Sequence, residues 1–402
     1  MTAQEDVALA ARPLPDAAPQ PYRRSAGALW TGRMRSIRPA WVSDGLVRGL
    51  RWGLVATWVF TFGYQCVFLG GIPWLRSDLL VWIVALLLAS SVGKRSIFTV
   101  VIDFLPFAAV LVAYDYLQGI SDTMGMLTWW HPQADVDRFL FAGTEPTVWL
   151  QEHLKHPDAR WYDVAVALCY FSFFFLPYVA AGAMWFRSRT DFYRWSLRFV
   201  GLSFTGFTFF TLIPAAPPWA AARCSAAEIA NHPNGPACMY TGDPRPGGLL
   251  GPFTSHLAGA NPWVERVATR GFADLHLRFA GEWIKTGQID FDTVAAVPSL
   301  HLGGTVLFVI FMWHRLSRWW RPLLVAYPLL MTFSLVYSGE HYLVDCVAGA
   351  MAAFGVHYAA GRVERWRKRG RGPDTLDSPP GTSQESPCPP VRPQPETTPS
   401  ST

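Results

Sequence analysis

Two short runs near the C-terminal end carry the residue types for proton and phosphoryl chemistry: Pro298-Ser299-Leu300-His301 and Gly339-Glu340-His341-Tyr342-Leu343-Val344-Asp345. Each stands at the mouth of an apolar run. His341 and Asp345 are four apart, so a helix starting at Tyr342 puts both side chains on one face. A carboxylate in that position holds an imidazole in one tautomer and leaves its other nitrogen free for chemistry. His301 adds a second proton-handling group from a different helix. Two imidazoles and a carboxylate suit phosphoryl transfer: His341 attacks phosphorus, His301 protonates the leaving oxygen and Asp345 stabilises the charged ring. The same three side chains could instead hold zinc with an open position, but no Cys or third His stands at ligand spacing nearby. Asp345, a turn into an apolar helix, is expensive unless paired, and His341 is the obvious partner.

The elements that must position these groups are membrane helices. Of the 402 residues 51% are hydrophobic and only 16% charged, against about 25% charged in a soluble domain. The apolar residues lie in long blocks, which points to an all-α, polytopic helical bundle. Candidate crossings are Trp52–Gly71, Leu79–Val92, Ile97–Leu117, Tyr162–Phe186, Trp195–Pro214, Val297–Trp313, Leu323–Ser338 and Tyr342–Ala360, about eight in all; Leu79–Val92 is short against the ~20 residues a crossing needs. The basic segments are the N-terminal tail, Lys94-Arg95, Arg187 to Arg194, Arg315 to Arg321 and Arg362 to Arg371. They recur at every second crossing. Placing them inside makes the protein an integral, multi-pass protein of the cell membrane with both termini cytoplasmic. His301, His341 and Asp345 then share the outer face. The expected divisions are a disordered tail (1–39), N-terminal helices with an outer segment (40–160), a catalytic core (161–361) containing a long outer loop (215–296), and a second disordered tail (362–402). Net charge is +5, but the basic residues flank apolar runs rather than exposed aromatics, so no nucleic-acid partner is expected.

Within the long loop, Trp263, Val267, Leu275, Phe279 and Trp283 recur at multiples of four. That spacing predicts an amphipathic helix, lying either on the outer leaflet or against the other outer segment. Cys224 and Cys238 share this loop and can bridge if it faces an oxidising compartment. The phosphate needs donors and cations. Ser299 and the N–H groups that follow Pro298 suit an anion. Arg223 is the first cation candidate, followed by Arg138, Arg160, Arg245 and Arg278. Glu340 is read as a headgroup contact or a solvated turn residue. Asp115, near the outer end of the third span, could contact a polyol headgroup, whereas Asp103 reads as structural. The other histidines, His153 and His256 among them, read as interfacial or structural.

The runs Pro298-Ser-Leu-His301 and His341-x-x-x-Asp345 resemble the second and third signature blocks of the type 2 phosphatidic acid phosphatase superfamily. Leu300 before His301, the Gly339-Glu-His-Tyr342 run and Pro214-Ala-Ala-Pro-Pro-Trp219 resemble its inositol phosphorylceramide synthase branch. The likeness covers roughly Ile97 to Gly361. Two features of the superfamily are missing: Ser334-Leu335 stands where it carries Ser-Arg, and its first block, Lys-x6-Arg-Pro, is absent. Arg187 and Arg194 have the separation of that block's two cations but belong to the cytoplasmic side. The resemblance implies a metal-independent enzyme without cofactors. Its partners would be a phospholipid donor and a lipid or polyol alcohol acceptor, with transfer of a phospho-headgroup such as inositol phosphate and Tyr342 among the substrate-binding residues. Hydrolysis of a phosphatidic acid or polyprenyl phosphate remains the alternative, and a lipid-binding or transport protein without catalysis is the second.

Overall fold

In the computed structural model the described residues are 43–69, 76–240, 248–277, 280–282 and 294–370. Among them the chain is helical, and its sole β pairing is two isolated parallel bridges, Trp129 with Ala215 and Ala215 with Ala295. The helices are α1 (Asp44–Phe68), α2 (Arg76–Ser91), α3 (Ile97–Thr123), α4 (Pro132–Leu140), α5 (Pro146–Leu154), α6 (Trp161–Arg187), α7 (Arg189–Leu212), α8 (Pro218–Ala221), α9 (Ala226–Asn231), α10 (Gly271–Asp274), α11 (Leu300–Met312), α12 (Arg321–Tyr337) and α13 (Leu343–Gly370). Among the described residues three stretches suffice by length and composition to cross a membrane: Trp161–Arg187, Arg318–Tyr337 and Leu343–Arg367. Val81–Ser91, Ile97–Val110 and Leu300–Met312 are shorter apolar helices. Several boundaries differ from the sequence reading: α1 begins at Asp44 rather than Trp52, and α3 runs to Thr123 rather than Leu117. α7 begins at Arg189, because Ser188 caps it through a bond from Asp191 N–H. α13 runs past Ala360 to Gly370.

The core lies between α6, α7, α11 and α13. Trp185, Phe192, Trp195, Leu202, Leu307, Phe311 and Ala353 form one buried cluster, with Leu87 of α2 and Val100 and Phe107 of α3 at its edge. Asp103 is buried in α3 and ion-paired to Arg189 at 2.8 Å, with Trp185 Nε1 also donating to it at 2.8 Å, in keeping with a structural role. Among the described residues α1 buries no side chain, and it packs mainly on its neighbour α2.

α11 and α13 lie closest, and two glycines set their distance. A Cβ on Gly349 would stand 2.1 Å from the Ser299 carbonyl oxygen, and one on Gly303 would stand 2.9 Å from the Gly349 carbonyl oxygen. Only hydrogen fits at either point. The starts of the two helices are also tied by a bond from Ser299 N–H to the Asp345 carbonyl, 3.0 Å.

The run Pro214–Trp219 is a strap. Trp129 N–H donates to the Pro214 carbonyl, Ala216 N–H to Trp129, Ala296 N–H to Ala215, and Trp219 N–H to Gly339, at 2.8, 2.9, 3.2 and 3.0 Å. It thereby joins the segment after α3 and the segment before α11 to the turn that carries His341. Beside it Trp130, Trp219, Ile229 and Met239 pack around the bonded pair Cys224–Cys238, whose Cα atoms are 5.3 Å apart.

The amphipathic helix expected from Trp263 to Trp283 is not continuous. Residues 261–270 are not helical, and α10 is one short piece. The backbone there is spent on other partners: Gln151 bonds both the N–H and the C=O of Glu265, at 2.9 and 2.8 Å. Gly271 lies so close to α6 that a Cβ would sit 2.2 Å from the Asp163 carbonyl oxygen. Val264, Val267 and Phe272 are buried against the bundle. The described part is therefore packed on protein, not laid on a surface. Phe279, Trp283, Arg278, Arg245, Cys388 and both expected tails fall outside the described residues, save for 362–370 in α13.

Candidate functional site

Ser299 caps α11 by accepting the Leu302 N–H, and its side chain is fully buried. That hydroxyl thus serves the helix. His301 follows in the first turn. Tyr170 stacks on its ring at 4.9 Å, Phe173 lies at 4.2 Å and Phe174 stands edge-on at 5.9 Å. The aromatic run of α6 is thus the wall behind this imidazole.

His341 lies in the turn between α12 and α13. Gly339 takes φ 74°, a conformation open to glycine without strain. It lets Glu340 and His341 return their N–H groups to Leu335, at 3.1 and 3.3 Å. His341 Nδ1 is 3.0 Å from the Ala296 carbonyl oxygen and 3.7 Å from Asp345 Oδ2, and its Nε2 is 3.3 Å from His301 Nδ1. A carbonyl can only accept, so Nδ1 carries the proton and Nε2 of the neutral ring is bare. His301 Nδ1–H is then the donor between the rings. The spacing of the two sequence runs thus brings both imidazoles within bonding reach, with a lone pair on His341 directed at the gap.

Asp345 is fully buried. Its Oδ2 accepts the Tyr342 N–H at 2.9 Å and faces His341 at the longer distance given above. The tautomer of His341 is therefore held first by Ala296. The Asp345 carboxylate is the nearby negative charge that a positively charged ring would need.

Glu340 is neither a solvated turn residue nor free for a headgroup. It is 6% exposed and takes a two-pronged ion pair from Arg266, with Nε to Oε1 and Nη2 to Oε2 both at 2.8 Å. The Arg266 guanidinium also lies over the Trp219 ring at 4.7 Å, reaches the Tyr170 hydroxyl, and is close enough for its charge to act on His301. Arg223 lies over Trp219 as well, at 5.4 Å. Burial and the charge of Arg266 lower the proton affinity of Arg223, and among the described residues no carboxylate lies within ion-pair distance of it. Two guanidiniums therefore meet at one indole beside the histidine pair. Arg138 pairs with Asp135 at 3.6 Å and is close enough for its charge to act on Tyr342, the neighbour of His341; Arg160 faces His156 at 3.3 Å. The Asp115 side chain falls outside the described residues. Tyr342 is fully buried, and among the described residues its hydroxyl has no hydrogen-bond partner.

Two residues of the site were missed by sequence reasoning. Arg266 lies within the run whose spacing predicts an amphipathic helix; the signal for it is Glu340, an acidic residue in an apolar turn that calls for a cation. Asp137 is the other. From α4 it accepts the N–H groups of Leu343 and Val344 at 2.7 and 3.0 Å, capping the helix that carries Asp345. No local pattern marks it, since the partner is 206 residues away. Burial pushes the Asp137 carboxyl up to about 6 against the pull of those two N–H groups. Burial likewise pushes Glu145 up to about 7.

A family model described as the PAP2 superfamily matches residues 134–359, more than half of the 402-residue chain. No curated protein and no solved structure matches it.

Proposed function

Because the chain belongs to the PAP2 superfamily, it is a membrane-associated phosphatase or phosphotransferase, and we propose that it moves the phospho-headgroup of a phospholipid to an alcohol through a phosphohistidine. The observation that carries this reading is the bare Nε2 of His341 facing His301 at 3.3 Å in an aromatic-walled site. The phosphoryl group inserts between the rings, so that contact opens when substrate binds. His341 Nε2 attacks phosphorus and the P–O bond to the lipid breaks. His301, protonated, gives its proton to the departing lipid oxygen. The acceptor alcohol then attacks phosphorus, His301 takes the hydroxyl proton, and the N–P bond breaks. Asp345 offsets the charge of the imidazolium. Arg266 and Arg223 supply the cations for the phosphoryl oxygens, in place of the arginine absent at Leu335. The Tyr170, Phe173 and Phe174 walls disfavour water as the second nucleophile, which supports transfer over hydrolysis.

Inositol phosphate is our choice of headgroup, on the likeness of Leu300, the run Gly339–Tyr342 and Pro214–Trp219 to the inositol phosphorylceramide synthase branch. The proposed placement is a bundle of about eight crossings, with both termini cytoplasmic and the histidine pair at the outer face, as the distribution of basic residues supports.

The test uses the full chain in lipid nanodiscs with phosphatidylinositol labelled in its phosphate. After rapid alkaline quench the protein should carry label on histidine, and His341→Ala should carry none. Mass spectrometry of the products separates the outcomes: a new phosphoalcohol means transfer, and free inositol phosphate means hydrolysis. Turnover by His341→Ala would end the proposal.

A further inference from the structure

A second cluster of ligand-type side chains lies at the end of the bundle where α13 begins, outside the histidine pair. Glu152 and His153 are on α5 and His256 is on the long loop; their ligating atoms all lie within 4.8 Å of one another. We propose that these three residues bind a divalent transition-metal ion of the zinc class, which clips the loop to α5. This site goes beyond the activity proposed above and does not depend on it.

The donor set is two imidazoles and one carboxylate, which suits zinc and its neighbours and not calcium or magnesium. His256 Nε2 is already 3.3 Å from Glu152 Oε1. In a tetrahedral shell ligand atoms lie ~3.3 Å apart, so the remaining pairs close by at most about 1.5 Å. His153 is oriented for the task. Its Nδ1 lies 2.8 Å from the Trp149 carbonyl oxygen, which fixes the proton there and leaves Nε2 to ligate. A backbone carbonyl on the far nitrogen is the usual way a protein aims a metal-binding imidazole. The Trp149 ring stacks on His153 at 4.5 Å and covers one face. His256 is 58% exposed, which gives the ion an entry path, and the fourth position is left to water.

The loop is fixed to α5 by other bonds near this point. His256 N–H donates to the Glu152 carbonyl at 3.4 Å. A few residues on, Gln151 holds Glu265 through its backbone, and Lys155 pairs with Glu265 at 3.1 Å. Arg266 follows directly. An ion at Glu152, His153 and His256 therefore braces the stretch of chain that delivers Arg266 to Glu340.

The experiment takes full-length protein without a polyhistidine tag, stripped with chelator and held in nanodiscs, and titrates it with Co2+ and then Zn2+. One Co2+ per chain should bind with the visible absorption of a low-coordinate nitrogen–oxygen site, and Zn2+ should displace it. His153→Ala and His256→Ala should each weaken binding by about tenfold or more, and His341→Ala should leave it unchanged. Zn2+ should also slow proteolysis within residues 248–277 of the wild type, and not of His256→Ala. Absence of saturable binding overturns the site. So does binding that survives both histidine variants, or that is lost in His341→Ala. Because the readout is metal binding, a failure of the phosphotransfer reading leaves this result intact.

Discussion

The Arg266–Glu340 pair allows a role in phosphate binding to be separated from a role in holding the turn. Arg266→Ala leaves the Glu340 carboxylate, 6% exposed, without its bidentate partner and next to His341. Removing one member of a buried pair costs roughly 3–5 kcal/mol. Arg266 keeps some exposure, 25% of its side chain, so about 3 kcal/mol of stability is the expected loss. If Arg266 also donates to the phosphoryl group, a charge-assisted bond of about 1.5–3 kcal/mol disappears from the transition state. That corresponds to a ~10- to 100-fold fall in kcat/KM.

The double variant Arg266→Ala/Glu340→Gln discriminates. It removes the orphaned charge, so unfolding in detergent should return to near the wild-type midpoint. Activity should not return, because the cation is still missing. Arg266→Lys should be intermediate, since it keeps the charge but loses the fork and the contact with Trp219. The assay is phospholipid turnover by mass spectrometry beside thermal unfolding of the same samples. Recovery of activity together with stability in the double variant would refute phosphate binding by Arg266. So would an Arg266→Ala enzyme within twofold of wild type.

Gly349→Ala should push α13 off α11, since its Cβ would stand 2.1 Å from the Ser299 carbonyl oxygen. Turnover should fall at least tenfold, and a cross-link or spin-label distance between the two helices should grow; an unchanged distance would sink the argument. The buried carboxyls Glu145 and Asp137 should make stability fall as pH rises. Glu145 keeps its proton in the folded state up to about 7, whereas the unfolded chain releases it near ~4.3. Its contribution is therefore complete below ~4.3 and lost as pH climbs to about 7, a change on the order of 3 kcal/mol. Asp137 adds the same sign through about 6. Thermal unfolding from acid to neutral pH should show the decline, and Glu145→Gln should flatten it. A wild-type midpoint that rises over this range would contradict the burial argument.

What the sequence reveals and what it hides divide along one physical line. α6, α12 and α13 were legible because long apolar runs announce themselves, and His301, His341 and Asp345 because a short spacing sets their chemistry. α7 was placed less well, because its first turns carry Arg189, Arg194 and Arg198, and these side chains are satisfied by partners far along the chain, Asp103 and Glu364. The run after Trp263 shows helical spacing, yet Gly271 and the backbone bonds to Gln151 override it. Propensity is weak when every neighbouring donor is already claimed by tertiary contact.

The cations follow the same rule. The relation of His341 to Asp345 lies within one helical turn, and so it is written locally. A phosphate-binding charge needs only to arrive at the right point in space, and any segment can deliver it. Leu335 stands where the resemblance puts the superfamily's arginine, and in the proposed reading the charge comes instead from Arg266, paired with Glu340 next to His341. The acidic residue in the signature run is thus the local trace of a non-local cation. Replacing it should misplace Arg266 as surely as replacing Arg266 itself.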